Sequence, residues 1–335
     1  MSKTSTDPLQ RLSRVVSGET MGTRYSARFV TDRLDYVRVE AALFAAVDAV
    51  DRQMSTWKAD SDLSRLNAAP VGHWIKVPPE LAIVLAEAVR IGQSSGGAFD
   101  IAVGDAVNAW GFGPVKPHEI PQAGGALKAG RFTATDSLEF DDAGEQVRKL
   151  APVTLDLCGI AKGFGVDELA RCLERFGITS YLVGIDGELR ARGRKPDGTL
   201  WTVAIERPDY DARDIMGILE LSDVAIATSG DYRHWVERDG ARLSHTIEPR
   251  TGAPLRNRLA SVTVLAGNCL EADAWATALM VMGEGAGPEF ARAQGLSALF
   301  IVRHGDALVE HPVGLFAHHQ ARSESAMSPA ENRTR

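Results

Sequence analysis

The stretch from Val153 to Glu168 constrains this chain most: it reads Val-Thr-Leu-Asp-Leu-Cys-Gly-Ile-Ala-Lys-Gly-Phe-Gly-Val-Asp-Glu. An apolar run with β-branched members ends on Asp156, a glycine-containing turn carries the cation Lys162, and a helical pattern begins near Val166. The pattern predicts strand, loop and helix in succession. Glycines let the main chain approach a ligand closely, and the start of the following helix favours negative charge, so such a loop suits an anion. The same residues also fit an ordinary buried strand followed by a capped helix.

Composition narrows the class. A chain of 335 residues with 44% hydrophobic residues can bury a substantial core, and a net charge of −7 argues against an electrostatic nucleic-acid binder, whose footprint is basic. Cys158, Cys172 and Cys269 are odd in number and scattered, which predicts reduced thiols rather than a disulfide framework. Met1 to Val16 lacks the apolar centre of a secretory signal, and no stretch is apolar enough to span a bilayer, so a cytoplasmic protein without a membrane anchor is expected. The sequence predicts a flexible segment over 1–17, one folded unit over 18–316 and a disordered tail over 317–335.

Along the chain, Gly22 to Val30 alternates as a strand with Tyr25, Ala27 and Phe29 on one face, entered through Met21-Gly22-Thr23. A helix from about Val39 to Met54 carries a stripe of Leu43, Phe44, Val47, Val50 and Met54. Next come Met54-Ser55-Thr56-Trp57 and the hydroxyl- and carboxylate-rich run Asp60 to Asn67, which predict a loop and a short capped helix, with Trp57 half-buried or serving as an aromatic platform. Pro79 opens a helix whose face is Leu81, Val84, Leu85, Ala88 and Ile91 and which Gly96-Gly97 stops. Ala98-Phe99-Asp100 and Trp110-Gly111-Phe112-Gly113 suit either a flat aromatic ligand or a tight turn with apolar anchors. Pro114 to Gly130 reads as a surface insertion.

The helix after the central stretch should run to about Phe176, followed by a hairpin from Tyr181 to Arg192 turning at Asp186-Gly187. Strands over Leu200 to Glu206, Ile215 to Ala227 and Ser261 to Leu265 point to an antiparallel sheet, with Thr228 to Tyr232 as a hydroxyl-rich turn. His245 lies where a strand ends at the proline turn Glu248-Pro249-Arg250, a setting open to a structural or a catalytic histidine. Cys269 to Met282 forms a helix ending at Gly283, on which Asp273 and Thr277 share a face among Ala272, Ala274, Ala276 and Ala278. One carboxylate and one hydroxyl make a partial site for magnesium completed by substrate phosphate and water. The alternative is a first-turn Asp facing the helix dipole and a Thr bonded back to its own helix. No P-loop, complete glycine-rich dinucleotide fingerprint, zinc motif or internal repeat is present.

Taken in order, these pieces resemble the FAD:protein FMN transferase family, the ApbE-like flavin transferases. The resemblance rests on Met21-Gly22-Thr23, Met54 to Trp57 with Ser61 to Asn67, Gly97 to Asp100, Leu155 to Gly163, Ala227 to Tyr232, His245 to Gly252, and Ala272-Asp273-Ala274 with Thr277, and extends from about Gly18 to Leu315. It implies a single α+β unit of the T-fold-like kind, with a mixed or antiparallel sheet and packed helices. It implies an enzyme that moves FMN from FAD onto a Thr or Ser hydroxyl of a partner flavoprotein and releases AMP, with no nucleic-acid partner. The carried-over residues are Ala161 by its carbonyl, Asp273 and Thr277 for magnesium; Met21, Trp57, Ala98, Phe99, Asp100, Cys158, Phe164 and Ile247 for the flavin substrate; and the histidine His245. Phosphoryl transfer needs charge neutralisation, which the metal and a nearby cation such as Lys162 could supply, and a neutral His245 could accept the proton of the attacking hydroxyl, so His245 and Lys162 are the expected catalytic residues. Cys158 stands where relatives commonly have Gly, Ile101-Ala102 replaces a usual Pro-Thr, and Asp186 interrupts a usual Gly-Gly turn. An FAD-binding accessory protein without transfer activity and a magnesium-dependent FAD pyrophosphatase are the competing readings.

Overall fold

The computed structural model describes residues 12–31, 36–115, 131–210, 212–233, 235–238, 241–305 and 307–317. Most of the segment read as an insertion, and the two terminal extremities, lie outside them.

Strand β1 (Leu12–Thr20) turns through Met21 and Gly22 into β2 (Thr23–Thr31). Both turn residues have positive φ, 47° and 70°, the geometry of a two-residue hairpin that follows the natural strand twist. Tyr25, Ala27 and Phe29 of β2 are buried as alternation predicts. Helix α1 (Tyr36–Met54) buries Val39, Leu43, Val47, Val50 and Met54. Phe44 does not join that stripe; one residue after Leu43 it is rotated about 100° around the axis and is exposed.

Short helix α2 (Asp62–Ala68) is capped by Ser61, whose hydroxyl accepts from Ser64 N at 3.0 Å. After β3 (Ile75–Lys76), helix α3 (Pro79–Ser94) buries the predicted face and ends at Gly96 and Gly97, with φ of 62° and 81°. Helices α4 (Gly104–Ala109) and α5 (Ala134–Ser137) precede β4 (Leu138–Phe140) and β5 (Gln146–Lys149), and β5 pairs with both β3 and β4 in a small antiparallel sheet.

The central stretch departs from expectation. Val153 to Asp156 forms no strand; its main-chain groups bond to loops and a side chain instead. Asn67 pairs both ways with Leu155, Oδ1 accepting its N–H at 2.8 Å and Nδ2 donating to its carbonyl at 2.9 Å. Gly104 N donates to Thr154 O, and Asp156 N to Ile101 O. Helix α6 (Ala161–Arg175) then begins five residues before Val166, so Lys162 lies in its first turn.

The main sheet has the order β1-β2-β6-β7-β10-β15-β16-β17 and is antiparallel throughout. Its further strands are β6 (Tyr181–Ile185), β7 (Glu188–Arg192), β10 (Val224–Gly230), β15 (Leu259–Ala266), β16 (Ser297–His304) and β17 (Ala307–Val313). Thr228 and Ser229, read as a turn, belong to β10. Helices α1, α6 and α7 (Cys269–Ala293) pack on one face. The hairpin β8 (Trp201–Glu206) and β9 (Ile215–Leu221) covers the other, with Trp201 and Leu221 packed on Ile226 and Ile301. Alternation sorts the layers: Ala225 faces the helices and Ile226 the hairpin. Hairpin β11 (Trp235–Arg238) and β12 (Ala241–Ser244) and the short pair β13 (Ile247–Glu248) and β14 (Ala253–Pro254) complete an α+β fold.

Helical geometry in α7 breaks at Gly283, where φ is 78° and ψ 179°, as its glycine predicts, but the helix resumes to Ala293. Outside groups hold the junction: Asn257 Nδ2 donates to Met280 O at 2.7 Å, and Arg258 Nε to the Glu284 carboxylate at 2.9 Å. Among the described residues no helix is long and apolar enough to cross a membrane.

Candidate functional site

The site is set by how α7 is pinned against the start of α6. Asp167 of α6, buried, accepts from Cys269 N and Leu270 N, each at 3.0 Å, and from Arg190 Nη1 at 2.6 Å. A carboxylate at these otherwise unpaired first amides fixes the start of α7. One helical turn further in, Gly163 N donates to Asp273 Oδ2 at 3.0 Å. Gly163 makes that contact possible, since a Cβ there would meet Cys269 O at 2.3 Å and Asp273 Cβ at 2.8 Å. Gly159 likewise leaves room for Thr277 Oγ1, 2.9 Å from where its Cβ would stand. The glycines of the central stretch therefore serve close packing of two helices as well as an open loop.

Asp273 is buried in the second turn of α7, so the first-turn dipole role falls to Glu271. Thr277 does not bond back along its helix; its hydroxyl is 3.2 Å from Ser229 Oγ of β10. Burial pushes the Asp273 carboxyl up to about 7, the Glu188 carboxylate adds to the rise, and Lys162 opposes it. Lys162 Nζ donates to Glu188 Oε1 at 2.8 Å and lies 3.6 Å from Asp186 Oδ2. Burial works against its charge, but Glu188, Asp273 and Asp186 together outweigh it and hold the ammonium above its ordinary range. Asp186, at φ 54° in the β6–β7 turn, also accepts from Arg233 Nη1 at 2.9 Å, and Arg233 reaches on to Glu206. Asp tolerates the left-handed conformation, which accounts for its standing in a position suited to Gly.

These groups floor one cavity of about 1290 Å³. Of the residues picked out from sequence, Met21, Ala98, Phe99, Asp100, Cys158, Lys162, His245, Ile247, Asp273 and Thr277 line it. Its wall on the helical side is positioned by Ser95, whose Oγ accepts from Phe99 N at 3.0 Å, and by Asp100, whose Oδ1 accepts from Ala102 N and Ala134 N. Burial raises the Asp100 carboxyl. Cys158 N donates to Asp156 Oδ1 at 2.9 Å, and the Asp156 charge is the main reason the Cys158 thiol is pushed up. His245 stands between β12 and β13, half-buried, its ring edge-on to Phe112 at 6.5 Å. Trp110 Nε1 donates to Gly252 O at 2.8 Å and ties the aromatic loop to the histidine segment.

Three expected residues do not line the cavity. Trp57 is 67% exposed rather than half-buried, because it follows α1 on a loop whose polar groups fold on themselves, Ser61 Oγ to Ser55 O and Trp57 N to Ser55 Oγ. Phe164 points into the core, with the Arg171 guanidinium 5.1 Å from its ring. Ala161 is the first residue of α6, and any part it takes is by its main chain.

Sequence reading missed Ser229, Glu188, Asp186, Arg233 and Glu206 as parts of the site. One signal was available for Glu188: across a two-residue turn it pairs with Ile185, a fully buried residue, so a carboxylate was being placed beside the core. Arg233 and Glu206 come from distant segments and carry no local signal.

Among the described residues no group of three His, Cys, Asp or Glu is arranged to hold a metal ion. The donors Asp273, Thr277 and Ser229, which line the same cavity, are hard oxygens, a buried carboxyl and two hydroxyls, a set that suits magnesium with substrate and water completing the shell.

Comparison with known proteins follows the same span. The family model described as the ApbE family matches residues 21–300. A Vibrio cholerae protein named FAD:protein FMN transferase is 40% identical over 305 residues, covering 90% of this chain and 91% of that one. A Haemophilus influenzae protein of the same name is 37% identical over 311 residues, 90% of each. The apo crystal structure of Pseudomonas stutzeri flavinyl transferase ApbE superposes with a TM-score of 0.81 at 37% identity, covering 93% of this chain and 98% of that one.

Proposed function

The chain belongs to the ApbE family, and from that premise we propose how it acts as an FAD:protein FMN transferase, moving FMN from FAD to a Thr or Ser hydroxyl of a flavoprotein with release of AMP. The observation that carries the reading is the convergence of Asp273, Thr277 and Lys162 on the floor of the cavity that His245 and Phe99 also line. At about 1290 Å³ the cavity exceeds the roughly 300–1,000 Å³ of ordinary ligand pockets and suits a dinucleotide.

Met21, Phe99 and Ile247 supply apolar surface for the flavin ring, with Ala98, Asp100 and Cys158 alongside. Asp273, the Thr277 hydroxyl and the Ala161 carbonyl would hold magnesium. The fit rests on donor chemistry and on the raised Asp273 carboxyl, whose charge a divalent cation would stabilise. When bound, the ion neutralises diphosphate charge and favours attack at phosphorus. His245 accepts the proton of the acceptor hydroxyl as its oxygen bonds to the phosphorus of the FMN half. The bond from that phosphorus to the bridging oxygen breaks, and AMP leaves with the electron pair. Phe112 and the Trp110–Gly252 hydrogen bond steady the segment that carries His245. We take the catalytic unit to run over 18–316, and the free thiols Cys158, Cys172 and Cys269 support a reducing, cytoplasmic setting.

The test is incubation of the purified protein with FAD, magnesium and candidate flavoproteins, read by intact mass. A metal-dependent gain of FMN on an acceptor, lost in Asp273→Ala, is expected. AMP with free FMN and no labelled protein would mean hydrolysis, and bound FAD without turnover in the presence of an accepted substrate protein would mean an accessory role; either result overturns the proposal.

A further inference from the structure

Glu188 opens β7, lines the cavity and is 3% exposed. Its Oε1 takes the hydrogen bond from Lys162, while its Oε2 is buried with no hydrogen-bond partner among the described residues. Among the described residues three other buried side-chain atoms share that condition, Thr20 Oγ1, Gln53 Oε1 and Ser137 Oγ, but all are neutral and none belongs to a cavity-lining residue. An unpaired buried carboxylate oxygen is the costliest of the four, and proteins keep such atoms where something that binds completes them.

The position of Glu188 is fixed by the backbone. It pairs with Ile185 across the Asp186-Gly187 turn, and Asp186 N donates to Arg24 O on the neighbouring strand. Lys162 holds one oxygen from the side, and the next residue, Gly163, donates its N–H to Asp273. Glu188 therefore lines the same cavity beside the place assigned above to the diphosphate and its cation. A carboxylate accepts and does not donate, so the complement is a donor. The donors that flank a diphosphate are sugar hydroxyls and the water molecules of its cation.

We propose that Glu188 is a further substrate-binding residue, whose Oε2 accepts a hydrogen bond from an O–H that enters with the substrate, either a sugar hydroxyl next to the diphosphate or a water carried by the divalent cation. The inference rests on the transferase reading.

The experiment compares wild type with Glu188→Gln, which keeps size and can still accept from Lys162. Calorimetry measures FAD binding in chelator and, separately, Mn²⁺ binding without nucleotide. A dissociation constant raised about tenfold or more is expected in at least one arm, the size of a charge-assisted hydrogen bond. Loss in the FAD arm identifies the sugar hydroxyl, and loss in the Mn²⁺ arm the bound water. Asp186→Asn is the control, since it also removes a carboxylate from Lys162 but one whose oxygens already have Lys162 and Arg233. Unchanged binding in both arms overturns the proposal, and so does equal weakening by Asp186→Asn, which would reduce the effect to charge. Circular dichroism checks folding; should Glu188→Gln not fold, Glu188→Asp withdraws the oxygen while keeping the charge and carries the same test. Wild type that neither binds FAD nor labels any acceptor would instead refute the transferase reading.

Discussion

Replacing Gly163 by Ala should destabilise the protein even though the residue is helical. In an open helix position the change stabilises by about 1 kcal/mol, because glycine gives up more chain entropy. Here the new Cβ would meet the carbonyl oxygen of Cys269 at 2.3 Å and Asp273 Cβ at 2.8 Å, both anchored in α7. Overpacking of rigid atoms costs about 1–3 kcal/mol, and backbone contact at this distance belongs at the upper end, leaving a net loss of about 2 kcal/mol. Unfolding entropy of about 2.1 cal/mol/K for each of 335 residues converts this to a fall in Tm of about 3 °C. Gly285→Ala supplies the opposite sign, since nothing lies within 4 Å of its Cβ position and it should raise Tm by about 1.4 °C. Separating α6 from α7 also breaks the Gly163 N to Asp273 bond, so magnesium-dependent labelling should fall further than stability alone accounts for. The assay is thermal unfolding beside FMN transfer at graded magnesium. If Gly163→Ala gained stability as Gly285→Ala does, with unchanged magnesium dependence, the packing argument would be wrong.

Four further outcomes are expected. His245→Ala should slow transfer by about 10²–10⁴-fold, the range for loss of a general base, and shift FAD affinity little; equal loss of both would remove the base role. Asp273→Ala should abolish magnesium stimulation of transfer, and a preserved magnesium response would rule out that ligand. Asn67→Ala leaves the N–H and carbonyl of Leu155 without their side-chain partner, which should cost about 1–3 kcal/mol for each group, measurable by denaturant unfolding. The Asp100 carboxyl is raised by burial, so in wild type stability present below the unfolded value is lost as pH rises through the folded one. Asp100→Asn, which can still accept from Ala102 N and Ala134 N, should therefore gain on wild type as pH rises above the ordinary carboxylate value of about 4; no pH-dependent difference in Tm would contradict the burial argument.

Local pattern made much of the scaffold legible. The buried faces of α3 and β2, the Ser61 cap and the Asp186-Gly187 hairpin follow from periodicity and turn chemistry that short segments carry within themselves. Failures came where partners lie far off. Val153 to Asp156 has strand composition, but its pairing groups are Asn67, Ile101 and Gly104, between 50 and 88 residues upstream, and a side chain can satisfy a backbone as well as a strand can. Gly283 marks a true break, yet only the distant Asn257 and Arg258 explain why α7 continues. For the site, Asp273 and Thr277 were visible as an i, i+4 pair, whereas Ser229 beside Thr277 depends on a strand that reaches α7 only through the tertiary fold.

The cations of the site bear on why a metal should be needed at all. From sequence, Lys162 stands as a cation near the reacting phosphates. In the structure its ammonium is held by Glu188 and lies near Asp186, while Arg233 is shared by Asp186 and Glu206. Arg213, the remaining cation among the cavity-lining residues, is 88% exposed and only 3.9 Å from Glu206. Asp186, Glu188 and Glu206 thus already engage Lys162 and Arg233, the two cations that pair closely on the cavity floor, and leave neither at hand for an incoming diphosphate. A divalent ion held at Asp273 and Thr277, as proposed, would supply the positive charge that these engaged cations do not, where a rotation of Lys162 would merely expose Glu188. The prediction is that Lys162→Met impairs transfer by weakening the hold on Glu188 and Asp273, so that raising magnesium restores part of the lost rate. A phosphate-binding lysine would give the opposite result, a deficit that magnesium leaves untouched and that raising FAD repairs.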